Sequence, residues 1–216
     1  MHFINLHTHK YSNQENKLEI VNQYPQEFDY LLPNYSIGIH PWHIKNNNID
    51  ADLHIIDDNL NNKNCLALGE CGLDNRIEIP MSLQIEVFEK QIRLAIKHKK
   101  PIILHCVGAF NEVITIKKRL KIEVPIIIHG FSKNIQVANQ LIDNGFYLSF
   151  GKYLMQNAAL ENVFQNLSND RFFLETDSSD YEIEDVYAIA AKYKKLEIEN
   201  LKEIVCNNFN KIFKKE

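Results

Sequence analysis

Nine histidines stand among the 216 residues of this chain, and residues of metal-ligating type recur where short apolar runs end. Asn5-Leu6-His7-Thr8-His9 closes the first run. In extended chain, residues two apart point to the same side, so His7 and His9 can share one cation. Gly69-Glu70-Cys71-Gly72 puts a carboxylate at the lip of another run, two further runs end in His105 and His129, and the last ends Leu174-Glu175-Thr176-Asp177. Four neutral imidazoles and two carboxylates can hold two divalent cations about 3.5–4 Å apart, one carboxylate bridging. Cations so placed lower the pKa of a bound water and stabilise charge on an attacked phosphoryl or carbonyl centre. Taken singly, each residue has an ordinary reading: a hydrogen-bonded structural histidine, an ion-paired Glu70, an Asp177 that caps a turn. Independent structural roles rarely select only ligand types at five strand ends, and that favours the joint metal site.

The elements that must position these groups are short. Residues 3–6, 35–39, 65–69, 101–104, 125–128, 146–150 and 171–174 read as buried parallel strands. Amphipathic stretches lie between them: Ile85, Phe88, Ile92 and Ala95 recur at helical spacing before Pro101, and Val137, Leu141 and Ile142 precede Gly145. Near the C-terminus Ile198, Leu201, Val205, Phe209 and Ile212 make one apolar stripe. Strand–helix alternation with ligand types at the strand ends predicts an α/β fold, a small TIM-type (β/α) barrel forming a single domain over residues 1–216. No eighth run of comparable strength follows Asp177, so the eighth strand is expected to be minimal or missing. No glycine-rich turn follows the first run, which argues against a dinucleotide site. The asparagine-rich residues 45–64 are expected to carry a surface helix over 49–60.

Composition narrows the class. With 45% hydrophobic and 24% charged residues and a net charge of −4, the chain is neither a disordered polymer nor a binder that holds nucleic acid by bulk charge. No apolar run reaches membrane-spanning length and no leader pattern opens the sequence, so no membrane association is expected. Cys65, Cys71, Cys106 and Cys206 form no C-x-x-C pair and read as free thiols of a reducing, cytoplasmic compartment. Nothing in the sequence points to an obligate protein partner.

The chain resembles the TatD family of metal-dependent hydrolases, of the amidohydrolase-like barrel superfamily. The resemblance rests on His7-Thr8-His9, Gly38-Ile39-His40-Pro41, Gly69-Glu70-Cys71-Gly72-Leu73-Asp74 and Pro101-Ile102-Ile103-Leu104-His105. It continues through His129-Gly130-Phe131-Ser132, Glu175-Thr176-Asp177 and Asn207-Asn208-Phe209-Asn210-Lys211-Ile212-Phe213. It implies that His7, His9 and Asp177 hold one metal and that His105 and His129 hold a second, with Glu70 bridging. It also implies a phosphate-contacting role for His40 and a magnesium-dependent deoxyribonuclease activity; imidazole ligands on affinity also suit zinc or manganese. Three departures stand out. Asn5 replaces the family's usual aspartate, Val107 stands where an arginine is common, and Ser178-Ser179-Asp180-Tyr181 replaces a proline- and arginine-rich loop. Asn5 is still able to hydrogen-bond a ligand.

These readings make the chain a two-metal phosphodiesterase of nuclease type acting on single-stranded DNA or a small phosphodiester. The catalytic set is Asp177, Glu70 and His40, with His40, Lys152 and Trp42 toward the substrate. Trp42 is expected to pack in the core, serve as a lid or stack on a base, and Lys152 to meet a phosphate. Hydrolysis of a small amide, ester or lactone on the same site is the alternative, and a non-catalytic metal-binding protein is the least favoured reading. His2, His54 and His98 are expected at the surface or in packing roles, and Glu175 carries no assigned metal role.

Overall fold

The computed structural model describes residues 1–44 and 48–213. Eight strands make one sheet in chain order: β1 (Phe3–Thr8), β2 (Lys17–Gln23), β3 (Tyr35–Ile37), β4 (Cys65–Asp74), β5 (Ile102–Val107), β6 (Ile126–Ile128), β7 (Tyr147–Phe150) and β8 (Phe172–Leu174). A parallel bridge between Thr8 and Asp177 joins the end of β1 to the residues just after β8, the connectivity of a parallel (β/α) barrel. The expectation of a minimal or missing eighth strand after Asp177 does not hold. The strand that lacked a signal is β2. Lys17-Leu18-Glu19-Ile20-Val21-Asn22-Gln23 carries polar residues that are nonetheless buried, and buried polar groups need partners. Glu19 finds its own in the Ser12 amide and hydroxyl, both at 2.8 Å.

The chain forms two compact units, Met1–Val21 with Ile128–Glu216, and Asn22–Ile127. The first unit contains β1, β7 and β8 with α4 (Ile135–Asp143), α5 (Lys152–Gln156), α6 (Leu160–Asn166), α7 (Ile183–Lys194) and α8 (Ile198–Phe213). Its core is aromatic: Phe131, Phe150, Phe164 and Phe172 follow one another with ring centroids 5.5, 5.0 and 4.7 Å apart. Each such ring, fully buried, contributes roughly 1.5–3 kcal/mol. The start of β1 is gripped by Tyr187 of α7, whose hydroxyl accepts the Ile4 N–H and donates to the Ile4 carbonyl, both at 3.1 Å. Leu201, Val205, Phe209 and Ile212 of α8 are buried as the stripe requires, while Ile198 at the helix start is exposed.

The second unit contains β3, α1 (Ile49–Asn59), β4, α2 (Met81–His98), β5 and α3 (Phe110–Arg119). The expected surface helix in the asparagine-rich segment is α1; residues 45–47 of that segment lie outside the described residues. Helix α2 ends at Lys99, which adopts the left-handed conformation before Pro101 opens β5. Phe88, Ile92 and Ala95 are buried as expected, but Ile85 is half-buried, and Gln84 and Gln91 join the inward face. Gln84 accepts the Asp74 N–H at 2.8 Å and donates to the Asp74 carbonyl at 3.0 Å, fixing the end of β4. Strand β4 also lies unusually close to β5. At Gly72, whose φ is +140°, a Cβ would come 2.0 Å from the His105 carbonyl oxygen, so only glycine fits beside that histidine.

Candidate metal centre

Each unit assembles its own cluster of ligand-type side chains; Glu70, expected at the lip of its strand, lies inside β4, which runs on to Asp74. In the first unit, Asp177 Oδ1 lies 3.7 Å from His7 Nε2 and 3.5 Å from His9 Nε2. The rings of His7 and His129 are 4.5 Å apart between centroids, and ligand atoms of His7, His129 and Asp177 all lie within 4.8 Å of one another. Backbone bonds lock the geometry: the Asp177 N–H donates to the His7 carbonyl at 2.9 Å and the His9 N–H to the Asp177 carbonyl at 3.2 Å. Asp177 adopts φ +55°, a left-handed conformation that aspartate tolerates better than most residues. Burial alone would raise its pKa, but the His9 hydrogen bond and the electrostatic influence of the neighbouring His129, His7 and Lys152 hold it well below the usual carboxylate range.

The hydrogen bonds that Asn5 is expected to make to a ligand residue go instead to the neighbour of Asp177. The Asn5 amide donates to Thr176 Oγ1 at 2.9 Å and its carbonyl oxygen accepts the Thr176 N–H at 3.0 Å, so it positions the residue before Asp177. Lys152 is placed on Asp177, its ammonium 3.0 Å from Oδ2. Burial would lower the lysine's pKa, but Asp177 raises it above the ordinary value.

Glu175 was missed by sequence reasoning. It is fully buried, its Oε1 accepts the Gly130 N–H at 2.6 Å and lies 3.5 Å from His129 Nδ1, and its Oε2 has no hydrogen-bond partner. A carboxylate on the far nitrogen of a ligating histidine fixes the ring's orientation and tautomer. The signal in the sequence was its place two residues before Asp177, on the same side of an extended chain.

In the second unit, Glu70 Oε1 lies 2.9 Å from His105 Nδ1 and 3.2 Å from His40 Nε2, and ligand atoms of the three lie within 4.8 Å of one another. The Glu70 N–H donates to Asn22 Oδ1 at 2.7 Å, a task for one of the buried polar residues of β2. His40 Nδ1 accepts the Trp42 N–H at 3.1 Å, which puts the proton of the neutral ring on Nε2, facing Glu70. His105 Nε2 lies 3.4 Å from Asp74 Oδ2, and the Trp42 indole N–H donates to the same oxygen at 2.8 Å. Burial would raise the Asp74 pKa, but the bonds from Trp42, the Arg76 amide and His105 lower it. Trp42 is 60% exposed, so the expectation of core packing fails; the ring stands at the rim with its N–H anchored.

Away from these clusters, His54 lies 3.7 Å from Asp58 on the surface, and His98 pairs with Asp57 at 2.6 Å. All four cysteines are free thiols, Cys206 half-buried and the others buried. Among the described residues, no helix is long and apolar enough to cross a membrane. Paired imidazoles and carboxylates with ligand atoms this close are the donor set of a divalent transition metal or magnesium–manganese centre, so the residues fit such an ion.

The family model described as TatD related DNase matches residues 1–214. An uncharacterized metal-dependent hydrolase of Bacillus subtilis, YabD, is 35% identical over 162 residues, covering 70% of this chain and 60% of that protein. The chain thus matches well under two thirds of that relative's length. A putative deoxyribonuclease TATDN1 homolog of Enterocytozoon bieneusi is 32% identical over 191 residues, covering 79% of this chain and 67% of that one. The crystal structure of a TatD family hydrolase from Entamoeba histolytica superposes with a TM-score of 0.82 at 15% identity, over 99% of this chain and 98% of that one. A family match that runs nearly end to end, on a chain whose strand ends carry these clusters, shows that the chain belongs to the TatD-related DNase family.

Proposed function

We propose that the chain is a divalent-metal-dependent phosphodiesterase of nuclease type, acting on single-stranded DNA or a small phosphodiester. The observation that carries this reading is Asp177, a carboxylate with two imidazole nitrogens 3.5 and 3.7 Å from one oxygen. In this proposal His7, His9 and Asp177 would hold one cation, and the family resemblance assigns Glu70, His105 and His129 to a second; the short distances within each unit run among His7, His129 and Asp177 and among His40, Glu70 and His105. Bound there, divalent ions supply an acidified water and neutralise charge on the attacked group. Magnesium is the proposed ion, with zinc and manganese as alternatives suited to imidazole.

The chain's own residues supply the rest. Asp177 orients the attacking water and takes its proton. His40 contacts a phosphate oxygen of the substrate in this reading; before substrate binds, its Nε2 proton faces Glu70 at 3.2 Å. Trp42 presents an exposed ring, anchored by its N–H on Asp74, for a base to stack on. The four free thiols support a reducing compartment, the cytoplasm.

A second reading, hydrolysis of a small amide, ester or lactone, is favoured by Lys152, whose charge is committed to Asp177. One experiment separates the two. Metal-depleted protein is re-supplied with Mg²⁺, Mn²⁺ or Zn²⁺ separately and assayed on end-labelled single-stranded DNA, a small phosphodiester, and an amide, ester and lactone panel. Metal-restored cleavage of the DNA or phosphodiester is the expected result. Turnover confined to the carboxylic derivatives would replace the proposal by the second reading.

A further inference from the structure

Asp177 serves two kinds of neighbour at once. Its Oδ1 faces the Nε2 atoms of His7 and His9, while its Oδ2 accepts a hydrogen bond from the Lys152 ammonium at 3.0 Å. The lysine is not a loose surface group that drifts past. It is the first residue of α5, and the glycine before it lies so close to β8 that a Cβ on Gly151 would come 2.7 Å from the Glu175 carbonyl oxygen. Chain direction, close packing and hydrogen bond together aim this ammonium at one carboxylate. Its side chain is 29% exposed and that of Asp177 15%, so water screens the pair only in part.

A cation on Asp177 would meet that ammonium at short range, and the two positive charges would repel through a partly desolvated environment. We propose that Lys152 is an internal competitor for the metal: its ammonium neutralises Asp177 and must give up this carboxylate when a divalent ion binds there. The inference rests on the reading of Asp177, with His7 and His9, as a metal site. It gives Lys152 a role different from the phosphate contact expected of it. The lysine sets how tightly the site holds its ion and keeps a half-buried carboxylate paired until the ion arrives.

The test is a calorimetric titration of the metal-stripped chain with Mn²⁺, on the parent and on Lys152→Met, Lys152→Arg, Lys10→Met and Asp177→Asn. Lys10 is the charge control, because it pairs with Asp180 at 2.8 Å, on an exposed carboxylate. Lys152→Met should bind Mn²⁺ about tenfold tighter or more, the scale of removing one like charge at short range. Lys152→Arg should stay near the parent, since the positive charge is kept. Lys10→Met should change affinity by less than about threefold, as an exposed charge is screened. Parental or weaker Mn²⁺ affinity in Lys152→Met, with the parent and Lys10→Met binding normally, would overturn the competitor role and leave the metal site standing. Unchanged binding in Asp177→Asn, or no binding by the parent, would overturn the metal-site reading and the competitor with it. A folded Lys152→Met chain is confirmed by its thermal unfolding in the same buffer.

Discussion

Gln91 holds both main-chain groups of Ile39: its Oε1 accepts the Ile39 N–H at 2.7 Å and its Nε2 donates to the Ile39 carbonyl at 3.1 Å. The pair lies one residue before His40, so a helix side chain fixes the backbone from which a site histidine projects. Gln91 is 1% exposed, and no water replaces the amide if it is removed. Gln91→Leu leaves a buried N–H and a buried C=O unpaired, each costing about 1–3 kcal/mol. Urea unfolding should show a loss of about 2–4 kcal/mol; a loss under about 0.5 kcal/mol would mean that the strand end is held by something else.

Glu70→Gln keeps the shape of the side chain and removes its charge. Under the proposed two-metal site, dications held mainly by imidazoles would then be poorly neutralised, so the purified variant should carry less metal than the parent while unfolding at a similar temperature. Hydrolysis should fall by about two orders of magnitude or more. Glu203→Gln, on the exposed face of α8, is the control. A folded Glu70→Gln chain with parental metal content and activity would remove Glu70 from the site.

Glu175→Gln tests the support of a site histidine, because the Glu175 carboxylate sits against His129 Nδ1 and the Gly130 amide. The variant should fold, since Gln retains an oxygen for the Gly130 N–H. Losing the charge behind His129 should weaken metal affinity by about 10- to 100-fold. Metal titration followed by elemental analysis reads this directly; parental affinity would make Glu175 a packing residue only.

Asp57 ties α1 to α2 through His98 at 2.6 Å and Lys97 at 2.8 Å. The His98 bond first, and then Lys97, lower the Asp57 pKa below its ordinary 3.8. A carboxylate depressed in the folded state adds stability above its unfolded pKa and loses it as pH falls through the folded value. Asp57→Asn should therefore be less stable than the parent at pH 7, by no more than about 1 kcal/mol for so exposed a pair. The gap should persist down to roughly pH 4 and shrink below it. Denaturant unfolding of both chains between pH 2 and pH 7 checks the sign; a gap that grows as the pH falls below about 4 would contradict it.

Much of the site could be read from residue type and spacing. His7, His9, His129 and Asp177 lie at or just beyond the ends of β1, β6 and the segment after β8, where apolar runs stop, and that pattern survives in a one-dimensional string; Glu70 and His105 lie inside β4 and β5, which continue past the apolar runs. Polar residues doing buried work could not be read the same way. Glu19 and Asn22 disguised β2 as a polar segment, since alternation in a barrel strand points some polar groups inward, where partners from distant sequence satisfy them. Gln84 and Gln91 interrupted the apolar stripe of α2 for the same reason. Glu175 was hidden by its neighbour: two carboxylates spaced as Glu-x-Asp look like one motif, yet one faces His7 and His9 while the other backs His129. Trp42 misled in the opposite sense, an aromatic type that burial statistics place inside but that its indole N–H, bonded to Asp74, holds at the rim.

That rim ring is the chain's single tryptophan, 60% exposed and bonded through Nε1 to the carboxylate that also meets His105. All tryptophan emission of the protein therefore originates beside one cluster. An event that shifts Asp74 or His105 changes the polarity around the indole and with it the wavelength and yield of the emitted light. A paramagnetic ion or a stacked base at the same spot quenches it. The fold thus carries its own optical gauge, readable without a label on the unmodified chain.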